Sequence, residues 1–240
     1  MTEALTDFEF NLFLVLTIIA IITIIVLSLY LLKRVLNEKK KTGHISYNFV
    51  FSLFILMVCL LISRLIFFYW DFFLTKYDYD KYFLYPNIIY WKVGMFIAFL
   101  GYANLLFTID KKAFDFKFKG ILAYIIVASG LFILLYPINS PEDFNIVSIV
   151  FSIASLIGIV IPILFIIMGF KTQRDIRKGA FMFALGVILY LVSMNFVNTS
   201  LLELLGEMYG SQMRITMFFL FIVFQVSGLI LCTYGAIKIM

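Results

Sequence analysis

Residues 9–41 read EFNLFLVLTIIAIITIIVLSLYLLKRVLNEKKK, and this stretch decides the fold. Nothing between Glu9 and Lys33 carries a charge. A helix that crosses a bilayer needs about 20 mostly apolar residues, and this run is long enough. Its Leu, Ile, Val and Phe residues lack the two-residue alternation of a membrane β-strand, so a helix is expected. Lys33, Arg34, Lys39, Lys40 and Lys41 follow at once. Such clusters mark the cytoplasmic end of a span. The residues before it are acidic (Glu3, Asp7, Glu9), and the apolar run is too long for the core of a signal peptide. An uncleaved anchor with its N-terminus outside is therefore expected. Met1-Thr2 does not permit myristoylation, and the C-terminus carries no prenylation box.

The same pattern recurs along the chain. Spans are expected at 9–32, 46–70, 89–109, 120–138, 146–170, 179–201 and 214–238. The fold class is an all-α, polytopic membrane protein: a seven-transmembrane helix bundle forming a single domain over 1–240. No stretch is left for a soluble domain. Composition agrees. The 240 residues are 64% hydrophobic and 14% charged. A soluble domain is nearer half apolar and a quarter charged. Disorder requires the opposite balance.

Nineteen Lys and Arg set the orientation. Fourteen fall on one side, in 33–44, 110–119 and 171–178 and at Lys238. Only Lys76, Lys81 and Arg214 fall on the other, while Arg64 and Lys92 lie in or at the edge of spans. The basic side is expected to be cytoplasmic, with the N-terminus outside and the C-terminus in the cytoplasm, in the cell membrane. The net charge of +5 then sums a basic inner face and an acidic outer one. The inner face is expected to attract anionic lipids, and nucleic acid is not an expected partner.

Several chemistries are excluded. His44, the only histidine, lies in the first inner loop, so a multi-histidine zinc site cannot be built. No span interior carries the pair of Asp residues an intramembrane aspartyl protease needs, nor a Ser–His or Ser–Lys dyad at central depth. No nucleotide-binding Gly-rich motif is present. Lys238, at the inner end of the last span, is the only lysine in it, so covalent retinal of the microbial-rhodopsin type is excluded. The acidic-Arg-aromatic and Asn-Pro-x-x-Tyr motifs of G-protein-coupled receptors are absent. Enzymatic activity and a cofactor are not expected. Cys59 and Cys232 fall inside spans and read as packing residues.

Polar residues at membrane depth are the default candidates for function. At about 1.5 Å per residue, Arg64 lies near the outer edge of a ~30 Å core, with Asp71 two turns further and Lys92 at a similar level. Asn195 and Asn198 sit near the outer end of the sixth span, with Tyr190 below. Arg64, Lys92, Asp71, Asn195 and Asn198 form a candidate external site for an anionic ligand. Alternatively Arg64 snorkels to Asp71, and the asparagines join helices. Asn104, Gln225 and Tyr190 are candidate interhelical contacts, with Asn104 and Gln225 at levels that suit a pair between spans three and seven. Pro162 removes the bond to the carbonyl of Gly158, so a kink is expected there. Trp70, Trp91 and the tyrosines of 77–90 read as an outer aromatic belt or as a lid over the site.

The exit of the third span, Leu105-Leu106-Phe107-Thr108-Ile109-Asp110-Lys111-Lys112, together with size and topology, resembles the seven-helix sensory modules that precede histidine kinases in prokaryotes. The resemblance implies a sensor or receptor-like module. No kinase segment accompanies the spans, so a signal is expected to pass to a separate cytoplasmic partner. Two other readings stay open: a small-solute transporter with a three-one-three helix arrangement, and a structural subunit of a membrane complex. A homo-oligomer is compatible with each.

Overall fold

The computed structural model describes residues 6–44, 47–78, 81–196 and 212–239. All regular structure among them is helical: α1 (Asp7–Thr42), α2 (Phe49–Tyr69), α3 (Asn87–Ala113), α4 (Ile121–Leu135), α5 (Pro141–Ile157), α6 (Val160–Lys171), α7 (Arg174–Asn195) and α8 (Gln212–Ile239). A π-helical turn, Trp70–Thr75, extends α2. Six stretches are long and apolar enough to cross a membrane: Asp7–Thr42, Phe49–Thr75, Asn87–Lys112, Glu142–Lys171, Arg174–Asn195 and Met213–Ile239. The chain is thus a helical, multi-pass membrane protein. The expected fourth span is shorter than read from sequence, because α4 has 15 residues and ends before Pro137. The basic stretch after the first span is helix up to Thr42, not loop. Leu, Lys and Glu favour helix, and Lys39, Lys40 and Lys41 complement the negative end of its dipole.

The chain forms two compact units, Ile24–Ile157 and Met1–Thr23 with Gly158–Met240. In the first, α2 and α3 run antiparallel, with Gly101 against Leu56 and Cys59 and Gly94 against Phe67. α4 runs back along α3: Gly120 lies at Phe107, Gly130 at Phe96 and Phe99, and Tyr136 at Lys92. α5 runs parallel to α3, with Trp91 on Phe144 at 5.0 Å and Phe99 on Phe151 at 5.9 Å between ring centroids. α4 therefore returns the chain to the end at which α3 began, and α5 starts from there.

In the second unit α6 and α7 form an antiparallel hairpin, with Phe165 on Phe183 at 4.4 Å and Gly169 against Phe181. α6 begins after a break at Gly158–Ile159. Pro162 has no N–H to offer the Gly158 carbonyl, which instead accepts from the Ile161 N–H at 3.2 Å. α7 and α8 are antiparallel and touch through their backbones. Gly179 faces Gly235, and Gly186 faces Gly228, seven residues apart on each helix. A Cβ at Gly186 would lie 2.6 Å from the Cys232 amide nitrogen, and one at Gly235 would lie 2.5 Å from that of Phe183. Without a hydrophobic drive between helices in lipid, close backbone approach of this kind supplies much of the attraction. The first turns of α1 run parallel to α8: Phe13 stacks on Phe218 at 4.0 Å, and Glu9 meets Arg214 one turn earlier.

Outward faces are oily. Leu135 is 76% exposed and Phe170 68%, and Ile22, Ile153 and Leu185 are exposed as well. Acyl chains satisfy such a surface; water does not. Substituting Gly186 by Leu is expected to force α7 and α8 apart, at a cost of about 1–3 kcal/mol or more. Thermal denaturation in detergent should register a lower midpoint, while Leu185→Ala on the exposed face leaves it unchanged.

Candidate functional site

The expected outer residues are placed as follows. Lys92 is committed to local structure: its Nζ donates to the Tyr136 carbonyl at 2.5 Å, closing the open end of α4. Asn195 is exposed and its amide donates to the Leu191 carbonyl of its own helix at 3.0 Å. Asn198 lies outside the described residues. Arg64 and Asp71 are within electrostatic reach of each other. Asp71 opens the π-helical turn, where the buried Thr75 hydroxyl donates to the Trp70 carbonyl at 3.0 Å. Trp70 packs on Tyr82 at 4.5 Å, Phe72 on Tyr77 and Tyr69 on Tyr90, so the belt residues fold into an aromatic cluster beside this turn.

Tyr190 is buried in α7 against Gly228 of α8, and its carbonyl accepts from the Ser193 hydroxyl. Gln225 is buried in α8, 3% exposed. Asn104 makes an interhelical contact with α2. Its amide donates to the Ser52 carbonyl at 3.2 Å and to the Ser52 hydroxyl at 2.8 Å, and its oxygen accepts from the Tyr47 hydroxyl. The Ser52 and Thr108 hydroxyls both donate to the Asn104 carbonyl. The α2–α3 register aligns Asn104 with Ser52, and depth along separate helices carried no information about that register.

This network belongs to the lysine-rich end of the first unit, where the built polar structure concentrates. Asn48 caps α2 by accepting from the Phe51 N–H at 2.9 Å. Its amide group also donates to both carboxylate oxygens of Glu38, at 2.9 and 2.7 Å, which ties the end of α1 to the start of α2. Asp110 organises the α3–α4 connection. It is 4% exposed, and its carboxylate accepts from the Phe118 N–H at 2.9 Å and the Gly120 N–H at 2.7 Å. Its carbonyl accepts from the Phe116 N–H at 2.9 Å. Asp115, Phe116, Lys119 and Gly120 take positive φ, a conformation costly for all but glycine. The Asp110 bonds hold it. Lys111, Lys112, Lys117 and Lys119 stand exposed around a fixed loop.

Two further carboxylates lock helix starts, and both follow a sequence signal. Thr6-x-x-Glu9 is a capping box: Glu9 accepts from the Thr6 N–H at 2.8 Å, and the Thr6 hydroxyl accepts from the Glu9 N–H at 3.3 Å. The other oxygen of Glu9 lies 3.7 Å from Arg214. Ser140-Pro141-Glu142-Asp143 does the same for α5, with Asp143 accepting from Asn139 and Ser140 N–H groups. Among the described residues no group of three or more His, Cys, Asp or Glu is placed to hold a metal.

Compared with protein-family models, with curated proteins and with solved structures, the chain has no match.

Two substitutions separate scaffold from site. Lys92→Met is expected to lower stability by about 0.5–1.5 kcal/mol through loss of the α4 bond, measurable as a shift in the thermal midpoint. Asp110→Ala leaves the amides of Phe118 and Gly120 without their acceptor and frees the strained loop. Tryptic cleavage at Lys117 and Lys119 in the folded protein is expected to accelerate by an order of magnitude or more; unchanged cleavage would show that the carboxylate does not hold the loop.

Proposed function

We propose that the chain is a non-enzymatic, seven-span protein of the cell membrane that works as a receptor- or sensor-like module through a separate cytoplasmic partner. Its N-terminus is outside and its C-terminus inside. One observation carries the span count: α1 and α8 run parallel. Successive crossings alternate in direction, so a first and last span pointing the same way require an odd number between and including them. Six stretches are long enough, and α4 supplies the seventh. Its 15 residues cover about 22 Å, and it pairs with α3 from Phe107 back to Lys92. Tyr136 at one end and the Asp110 loop at the other complete the crossing.

The charge asymmetry supports the orientation, and the fixed lysine loop after Asp110 supports the site of action. A partner reads a rigid, preorganised surface with less loss of entropy than a mobile one. The resemblance of 105–112 to the sensory modules supplies the class of function. Lys92 and Asn195 each also make a bond within the scaffold.

Single cysteines on a background lacking Cys59 and Cys232 test the topology with a membrane-impermeant maleimide. Lys40→Cys, Lys117→Cys and Lys178→Cys are expected to react only after permeabilisation. Tyr85→Cys and Asn139→Cys are expected to react in intact cells. Labelling of positions 117 and 139 from the same side would remove α4 from the spans. A photo-crosslinker at Lys117 should capture a cytoplasmic protein in native membranes and lose it in Asp110→Ala; capture of nothing cytoplasmic would overturn the partner.

A further inference from the structure

The lysine-rich end of α1 carries a groove that the sensor reading leaves unused. It has a volume of about 670 Å³ and is lined by Leu29, Leu32 and Leu36, then by Lys33, Lys39 and Lys40. Leu29, Lys33, Leu36 and Lys40 are four, three and four residues apart, so they form one stripe along the helix. Leu29 and Leu36 are exposed, as are the three lysines. Lys33 and Lys40 stand about 10 Å apart along the axis, within reach of one phosphodiester placed between them, since each carries a long flexible stem. The charge of the stripe is uniform. Glu38 is the only acidic residue between Glu9 and Asp71, and its carboxylate is drawn to the Asn48 amide.

We propose that this groove holds one phospholipid with an anionic headgroup, its acyl chain along Leu29 and Leu32 and its phosphate between Lys33 and Lys40, at the level of Leu36. Leu29 and Leu32 precede the first lysine along the helix, which matches the order of chain and phosphate in such a lipid. The site rests on the membrane reading above and adds a specific ligand to the basic end. Bound there, the lipid fixes the end of α1 next to its Glu38–Asn48 tether to α2.

Native mass spectrometry of the delipidated full chain in neutral detergent, titrated with dioleoylphosphatidylglycerol, reads retention directly. A lysine close to an anionic headgroup contributes about a fivefold factor, so the K33Q/K40Q pair is expected to weaken retention about 30-fold. K171Q/K178Q removes the same charge elsewhere and is expected to leave retention unchanged. Equal losses in the two pairs would overturn the groove in favour of general surface charge. Equal retention of dioleoylphosphatidylcholine would overturn it too, as would displacement by glycerol phosphate, which would indicate a site for a free anion. L29W keeps both lysines and gives a second reading should the charge variant fail to fold. Its added fluorescence is expected to be quenched by phosphatidylglycerol with brominated chains and not by the phosphatidylcholine equivalent; quenching by neither or by both equally rejects the site. A micelle has no inside, so failure here condemns the groove, whereas failure of the maleimide pattern condemns the topology.

Discussion

The constraint on which the rest depends is the lack of water in the hydrocarbon core. Backbone groups there must bond to one another, and a polar group left alone costs several kcal/mol. The helices meet the first demand within themselves. Their ends and several interior polar side chains find partners on neighbouring helices or turns. Asn104 and Ser52 answer each other across α2 and α3. The α4 end receives Lys92. Where Pro162 withholds its N–H, Ile161 supplies one to the same carbonyl. Between α7 and α8 the solution differs: with glycine at four facing positions, the two backbones make the contact themselves.

Acidic residues follow the same economy. Glu9, Glu38, Asp110 and Asp143 each accept from backbone or amide N–H groups at the end of a helix. A carboxylate that accepts charge-assisted bonds fixes its segment more firmly than a neutral acceptor. The scarcity of acids in this chain therefore does not mean that they are idle surface charge. Glu9 does two things at once: one oxygen closes the capping box and the other faces Arg214, so the start of α1 is held to the start of α8. The parallel direction of those two helices is fixed at the same place.

Much of the fold was legible because bilayer thickness and charge asymmetry act on composition alone. The six long stretches lie close to where hydropathy puts them. The start signals at Thr6-x-x-Glu9 and Ser140-Pro141-Glu142-Asp143, and the seven-residue spacing of Gly179 with Gly186 and of Gly228 with Gly235, are present in the sequence but were recognised only from the structure. Two things were not legible. Pairing partners depend on register, which depth along a helix does not give, so the contact of Asn104 with Ser52 was not read. The fate of Lys92 depends on where α4 ends, and Pro137 alone did not indicate that a lysine from α3 would be waiting there.

That last point bears on where function resides. A charged or amide side chain near the outer surface looks like a ligand contact when read one residue at a time. In the structure Lys92 is bonded to Tyr136 and Asn195 to Leu191, while Arg64 and Asp71 act on each other. At the opposite end the arithmetic reverses. Glu38 and Asp110, two of the acids near these lysines, are turned toward Asn48 and toward the Phe118 and Gly120 amides, while Asp115 is exposed in the loop. The lysines of α1 and of the α3–α4 loop are left exposed on segments that cannot easily move. Positive charge at a membrane surface has two natural counterparts, lipid phosphate and an acidic protein surface. The leucine stripe leading into Lys33 and Lys40 suits the first, whereas the loop held by Asp110 projects charge without an apolar track and suits the second.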